Sequence, residues 1–304
     1  MSSSTARQLR HGFSENLRFA LLTDFFDADQ EQMPEDAGLL AAARSEIEAL
    51  NARHPYRNGD MFFLFHRPRR WNARERKWMG EERKRGKLAA LNAFLRGGDL
   101  REGAGTQFMD IVGDTGSLRD VRYVITLDTD TQLPRDAARE LVGTLAHPLN
   151  RAVLDPVRRV VLRGYGILQP RVGISMNGQQ RTSYARLYGS EPGIDPYTRA
   201  VSDVYQDLFL EGSFVGKGIY DIDAFDGALA GRMPDNRILS HDLLEGCYAR
   251  AGLVSDVQLY EDYPTSYAID VKRRHRWIRG DWQIAQWVFP QVPMDGGGRH
   301  RNPL

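Results

Sequence analysis

The residues Tyr123-Val124-Ile125-Thr126-Leu127-Asp128-Thr129-Asp130 join an apolar run to two carboxylates spaced two positions apart. The run is rich in β-branched and aromatic side chains and reads as a buried strand. In extended chain, residues i and i+2 point to the same side, so Asp128 and Asp130 converge on one object. Two adjacent carboxylates repel, and one takes up a proton unless a cation intervenes. Mg²⁺ removes that conflict, because it accepts one or two carboxylates and fills its other positions with phosphate oxygens and water. The pattern fits a site for a metal-bound diphosphate. The plainer alternative is a solvated strand end before a turn at Pro134.

Other segments carry chemistry of the same kind. Asp24 follows the apolar run Leu17–Thr23, with Asp27 close behind. In open α/β sheets ligands sit beyond the carboxyl ends of strands, so Asp24 is either a rim residue or a turn aspartate. Arg67 to Lys87 holds ten Lys or Arg and three Glu. Such a run is a solvated face, a diphosphate contact or a surface for anionic lipid. Asp242, in Ile238–Gly246, opens a helical pattern, where the helix dipole favours a carboxylate. It either serves the helix start or acts as a general base on an acceptor hydroxyl. His241 beside it reads as an exposed or capping histidine. Arg276-Trp277 sets a cation next to an indole, which holds a sugar and a phosphate or packs on the surface.

Behind these residues the chain alternates strands and helices. Strands are expected at Leu17–Thr23, Met61–His66, Val121–Leu127 and within Val157–Gln169. Helices are expected at Gly38–Ala52, Lys84–Arg96, Asp136–Ala146, Val201–Leu210, Leu239–Ala251 with Ser240 as N-cap, and Lys272–Phe289. Residues 173–200 read as loop or irregular helix. The alternation specifies an α/β layered sheet. The 304 residues, 41% apolar and 27% charged with net charge +1, suit one globular domain over 17–290, after a polar leader at 1–16 and before a loose tail at 291–304. The balanced charge argues against a nucleic-acid partner. Cys247, the single cysteine, forms no internal disulfide and reads as a helix residue. No apolar run approaches the roughly 18–20 residues of a membrane span, and Met1–Thr5 lacks the apolar core of a secretory signal.

In order and wording these motifs resemble a processive glycosyltransferase of the GT-A type. The series is Asp24, then Gly86-Lys87 with Asn92, then Asp128-x-Asp130, then Gly212–Gly218, then Asp242, then Arg276-Trp277. Cellulose synthases share the order. The segments Glu82–Leu88, Gly193–Thr198, Ala200–Asp207 and Gly216–Asp221 are closer to the transferase domain of cyclic β-1,2-glucan synthases, over roughly residues 17 to 290. The resemblance implies a GT-A-like α/β fold with a mixed, mostly parallel sheet flanked by helices. Residues 1–16 do not read as the first strand of that fold, so the domain is expected to lack it. It also implies that Asp24, Lys87, Asp128, Asp130 and Arg276 bind UDP-glucose, with Mg²⁺ or Mn²⁺ on Asp128 and Asp130. Asp242 would deprotonate the 2-hydroxyl of a β-glucan acceptor, and Gly216, Lys217 and Trp277 would line the acceptor path. Tyr184, Tyr188, Tyr197 and Tyr205 are conceivable priming acceptors.

Two positions depart from the related synthases, with Arg273 where Gln is usual and His241 where Glu is usual. The implied partner is the remainder of a larger membrane synthase, which places the parent at the cytoplasmic face of the bacterial inner membrane and makes this chain a fragment. The last helix would then lie at the membrane surface. Rival expectations are another processive β-glycan or lipid glucosyltransferase, or an inert, binding-only module.

Overall fold

A computed structural model describes residues 16–97, 107–189 and 204–304, with the side chains of Val204 and Tyr205 excepted. The described residues fall into two compact units, one within 16–121 and one within 122–304.

In the first unit a three-stranded sheet runs in the order β1 (Phe19–Asp24), β2 (Phe62–Arg67), β5 (Asp110–Val112). β1 pairs parallel to β2, and β5 pairs antiparallel to it. All six residues of β2 are buried, which suits a central strand covered on both faces. Phe65 at its middle meets the rings of Phe94 and Phe108 at 5.2 and 5.1 Å between centroids. Helix α1 (Asp36–Arg53) buries Ile47 and Leu50, and α2 (Arg83–Leu95) buries Leu88, Leu91 and Leu95. Between β2 and α2 a short hairpin, β3 (Arg70–Asn72) with β4 (Lys77–Met79), carries much of the basic run.

In the second unit a four-stranded sheet runs in the order β11 (Ala251–Glu261), β9 (Ile167–Ile174), β10 (Gly218–Asp221), β6 (Tyr123–Thr126). β11 and β9 are parallel, and β10 is antiparallel to both β9 and β6. Helix α3 (Ala137–Ala146) closes the core with Ala137, Leu141 and Leu145 against Leu168, Ile219 and Val257. The fold is therefore the expected mixed α/β one, and in each of these sheets the longest ladder is the parallel one.

Three expectations change. The strand signal within 157–169 is two strands, β8 (Val161–Arg163), which pairs with β7 (Val153–Leu154), and β9. The break falls at Gly164, whose φ of +67° and whose missing Cβ, which would lie 2.0 Å from the Arg151 carbonyl oxygen, both demand glycine. Residues 173–189 complete β9 and form two short helices, α4 (Met176–Gln180) and α5 (Ser183–Tyr188), while 190–203, with Gly193–Thr198, lie outside the described residues. The expected loose tail contains a hairpin, β12 (Gln291–Pro293) with β13 (Arg299–Arg301), turning at three glycines of positive φ. The helix expected over 201–210 is α6 (Val204–Phe209) where it is described, and α7 (Ile222–Leu229) follows β10. Among the described residues no helix is long and apolar enough to cross a membrane.

The first unit is anchored by a buried ion pair at the end of β1. Arg67 Nε donates to Asp24 Oδ1 at 2.8 Å, and Nη2 donates to Oδ2 at 3.2 Å and to the carbonyls of Glu81 and Arg83 at 2.9 and 3.2 Å. Removing one partner of a buried pair leaves the other uncompensated. Arg67→Met is expected to cost about 3–5 kcal/mol in urea unfolding; a loss below about 1 kcal/mol would place the pair among ordinary surface bridges.

Candidate functional site

The end of β6 carries the aspartate pair into a turn, closed by the Thr131 N–H on the Asp128 carbonyl at 3.1 Å. Asp128 and Asp130 do converge, though through this turn rather than through strand alternation. A third carboxylate joins them from the end of β11. Ligand oxygens of Asp128, Asp130 and Glu261 lie within 4.8 Å of one another. Sequence reasoning missed Glu261, because nothing local ties Tyr260-Glu261-Asp262 to residues 128–130. A backbone bridge does so, with the Gln132 N–H on the Tyr260 carbonyl at 2.7 Å and the reverse bond at 3.2 Å. The Thr131 hydroxyl adds a bond to Glu261 Oε1 at 3.0 Å.

Lys217 lies among these acids. Its Nζ is 2.5 Å from Glu261 Oε1 and 3.4 Å from Asp128 Oδ2. The register explains the placement. Gly218 faces Thr126 across the antiparallel β10–β6 ladder, so the residue before Gly218 sits beside the chain just after Thr126. Burial works against the Lys217 charge, but Glu261 and Asp128 outweigh it and hold its pKa above the ordinary lysine value. Asp130 moves in the other direction for an acid. Its protein surroundings first, then Glu261 and Asp128, raise it above the usual carboxylate range. Three oxygen donors with one reluctant to ionise form a set that suits a hard divalent cation such as Mg²⁺ or Mn²⁺.

The acceptor-side residues meet the same loop. Gly216 has φ +84°, and a Cβ there would lie 2.8 Å from Asp242 Oδ2, so only glycine lets the loop pass this carboxylate. Gly216 thus touches Asp242 while its neighbour Lys217 holds Asp128 and Glu261. Asp242 opens helix α8 (Asp242–Ala249). The helix starts three residues later than expected, with His241 rather than Ser240 at the N-cap position and no side-chain capping bond. His241 is buried at 8% exposure, which corrects the expectation of an exposed or capping residue. The stretch before Asp242 is held by helix α9 (Tyr267–Ile284), where Gln283 accepts from the Leu239 N–H at 2.8 Å and Gly280 packs on Ser240.

On α9, capped by Ser266 and begun five residues earlier than expected, Trp277 is half-buried and Arg276 is exposed. Arg273 is the basic residue that turns inward, with its guanidinium 5.2 Å from the Trp277 ring centroid. Trp282, also on α9, is 77% exposed, while Trp287, just past the helix, is buried and donates to the Tyr248 hydroxyl at 2.9 Å. Among the tyrosines, Tyr184 donates to Asp270 Oδ2 at 2.9 Å, and burial with this bond lifts its pKa to about 12. Tyr188 is exposed, Tyr197 lies outside the described residues, and the Tyr205 side chain is not described.

Asp24 and Lys87 belong to the first unit. Besides Arg67, Asp24 has Lys87 Nζ at 3.5 Å, and its side chain is 11% exposed. Glu82 and Arg83 enter α2 with φ of +50° and +47°, an uncommon conformation for non-glycine residues. Gly86 is obligatory, because its Cβ would lie 2.1 Å from the Glu81 carbonyl oxygen. This local strain and close packing set Lys87 beside Asp24.

No protein-family model matches the chain. Over 272 residues it is 48% identical to cyclic beta-(1,2)-glucan synthase NdvB of Rhizobium meliloti (strain 1021). The chain is related to a glucan synthase. The matched stretch is 89% of this chain and 9% of that protein, so the chain spans under a tenth of the length of the curated relative.

Two outcomes are expected from the charges at the cluster. Lys217→Met leaves three carboxylates without their resident cation, so the metal-free protein loses about 3 kcal/mol, and added Mn²⁺ raises its melting temperature more than it raises that of the unsubstituted chain. Equal Mn²⁺ shifts would count against Lys217 as a competitor for the site. A cation must also displace the proton that Asp130 holds more tightly than an ordinary acid does. The Mn²⁺-induced shift should therefore grow as pH rises from about 4 to 7 and fade as pH falls through the raised Asp130 pKa. Asp130→Asn should stabilise the metal-free chain at neutral pH and abolish that pH dependence.

Proposed function

We propose that this chain carries the glucosyl-transfer site of a β-1,2-glucan synthase, which moves glucose from UDP-glucose to a growing glucan with inversion at the anomeric carbon. The observation that carries the reading is the two-residue step Gly216-Lys217. It links the carboxylate Asp242 to the cluster of Asp128, Asp130 and Glu261 within one unit. An acid cluster for a diphosphate-bound cation and a separate carboxylate beside it are the two parts that direct displacement at a sugar carbon needs. The name of the relative supports glucan as the product class.

In this mechanism Asp128, Asp130 and Glu261 are the residues that would hold a divalent cation, which would supply charge neutralisation to the departing diphosphate. Asp242 accepts the proton of the acceptor 2-hydroxyl. That oxygen forms a bond to the anomeric carbon on the face opposite UDP as the carbon–phosphate-oxygen bond breaks, so an α-linked donor yields a β linkage. Gly216 keeps the Asp242 carboxylate accessible by presenting no side chain to it. Trp277 supplies an apolar face to the acceptor chain, and Arg276 lies one residue before it on α9. Asp24 and Lys87 are assigned to the nucleotide, with Arg67 fixing the Asp24 carboxylate. The larger parent protein would hold this site at the cytoplasmic face of the inner membrane.

Purified chain supplied with UDP-glucose, Mn²⁺ and a β-1,2-glucan acceptor is the direct test. With UDP at about 100 times its dissociation constant the folded state should gain roughly 2.7 kcal/mol, and a flat thermal response with and without Mn²⁺ would favour an inert module. Asp242→Asn should keep UDP binding while transfer falls by about 10²–10⁴-fold. Asp130→Ala should lose the metal-dependent part of binding itself. Continued glucan synthesis by Asp242→Asn would remove Asp242 from the role of base.

A further inference from the structure

We infer that the β3–β4 hairpin of the first unit is a docking surface for an anionic lipid membrane, where Arg70, Arg74, Arg76 and Lys77 meet the headgroups and Trp71 enters the interface. The inference does not rest on the glucosyl-transfer reading above.

The basic run from Arg67 to Lys87 divides into two kinds of residue. Arg67 and Arg69 are buried and paired with Asp24 and Asp36. The hairpin is different. Arg70–Trp78 holds four cations and one acid, Glu75, in a chain whose net charge is only +1. All five of these charged residues are exposed. Arg70 stands 3.6 Å from Glu81, but both side chains are more than half exposed, and such a pair contributes little.

Aromatic rings are exposed beside these cations. β3 and β4 pair antiparallel with Trp71 opposite Trp78. Asn72 and Met79 are buried, and the Asn72 amide donates to Met79 Sδ at 3.4 Å. Side chains alternate along a strand, so the two tryptophans take the other face. Their rings stand 5.9 Å apart between centroids, with Trp78 half-buried and Trp71 51% exposed. Phe26, whose carbonyl accepts from Arg69 Nε at 2.6 Å, is 85% exposed. A charge run that is merely solvated has no need of exposed rings. A membrane surface takes both, because its negative potential attracts cations and indoles settle at headgroup level.

The hairpin is fixed at its base and at its tip. Trp78 exchanges both backbone hydrogen bonds with Ala28 at 2.9 Å, and a Cβ on Gly80 would lie 2.4 Å from Asp24 Oδ2, so the base is packed on the end of β1. At the tip Asn72 Oδ1 accepts from the N–H groups of Arg74 and Glu75 at 3.0 Å. Arg76 has φ +52°, a conformation that glycine or asparagine adopts at lower cost. The turn thus carries a cation where its backbone disfavours one. The exposed residues make a tip and not a groove. That shape suits a plane of headgroups better than single-stranded nucleic acid, which is held along a channel. The contact is peripheral, since among the described residues no helix is long and apolar enough to cross a membrane.

The test is co-sedimentation of the full chain with vesicles of phosphatidylglycerol and phosphatidylcholine in equal parts, and with vesicles of phosphatidylcholine alone. The chain should bind the first at low ionic strength, leave them as salt approaches about 1 M, and not bind the second. The triple variant Arg74→Gln, Arg76→Gln, Lys77→Gln should bind about a hundredfold more weakly, at about fivefold for each cation near the surface. Trp71→Ala should also weaken binding, and Glu75→Lys should tighten it. Arg279→Gln with Trp282→Ala, on the exposed side of α9, should leave it unchanged. Thermal melts establish that each variant is folded, and Glu75→Lys keeps the test decisive if the triple variant does not fold, because it reads a gain. The inference is overturned by an unsubstituted chain that ignores the anionic vesicles, by a folded triple variant that binds as well as the unsubstituted chain, or by a larger loss in the α9 variant. A short single-stranded oligonucleotide that binds more tightly than the vesicles also overturns it and assigns the tip to nucleic acid. None of these results bears on the transferase reading, which UDP and Mn²⁺ test separately.

Discussion

Three carboxylates gathered within 4.8 Å repel one another, and the second unit tolerates them because Lys217 reaches into the group. The ammonium is placed by a strand register, since Gly218 pairs with Thr126 and the preceding residue lies over the turn that carries Asp128. The same loop, one residue earlier, passes the Asp242 carboxylate at a glycine that no other residue can replace without strain. A single short segment therefore fixes the distance between the acid cluster and the proposed base. The energetic balance is uneven. Lys217 holds its charge against burial, whereas the pKa of Asp130 is raised above the usual carboxylate value by desolvation and by Glu261 and Asp128. A divalent cation entering this cluster would have to compete with both the Lys217 ammonium and the Asp130 proton.

The first unit uses the same device for a different purpose. Arg67 meets Asp24 with two nitrogens and uses Nη2 again to gather the carbonyls of Glu81 and Arg83. Those carbonyls belong to the bend that forces Glu82 and Arg83 to positive φ before α2 begins. The guanidinium thus joins the end of β1, the end of β2 and the start of α2, and Lys87 is carried to Asp24 by that junction. Much of the basic run from Arg67 to Lys87 is accordingly structural. Arg67 and Arg69 are buried partners of Asp24 and Asp36, and Arg83 pairs with Asp27.

Helix α9 has two separate duties. Its buried stripe holds the segment before Asp242 through Gly280 and Gln283, and the same stripe presents Arg273 and Trp277. Its exposed side carries Ile278 and Trp282 among basic residues. The relation to a glucan synthase gives these features a common context, although the chain matches 9% of that protein.

Much of this was legible locally. The continuous apolar run of β2 predicted a strand, and the alternation of elements predicted an α/β fold. The aspartate pair announced a candidate cation site by its spacing, even though a turn rather than an extended strand brings the two together. Boundaries were less legible where tertiary contacts set them. Gly164 splits one apparent strand because of the Arg151 carbonyl, and α8 begins at Asp242 because His241 is drawn into the interior. Glu261 and Lys217 were beyond local reasoning as members of one cluster. Each is an ordinary charged residue in its own segment, and they become neighbours through the pairing of β10 with β6 and the bridge from Gln132 to Tyr260. Local sequence determined which elements form and which side chains have the chemistry. Strand register and helix packing decided which of those side chains meet, because contacts between distant segments depend on the whole core being assembled.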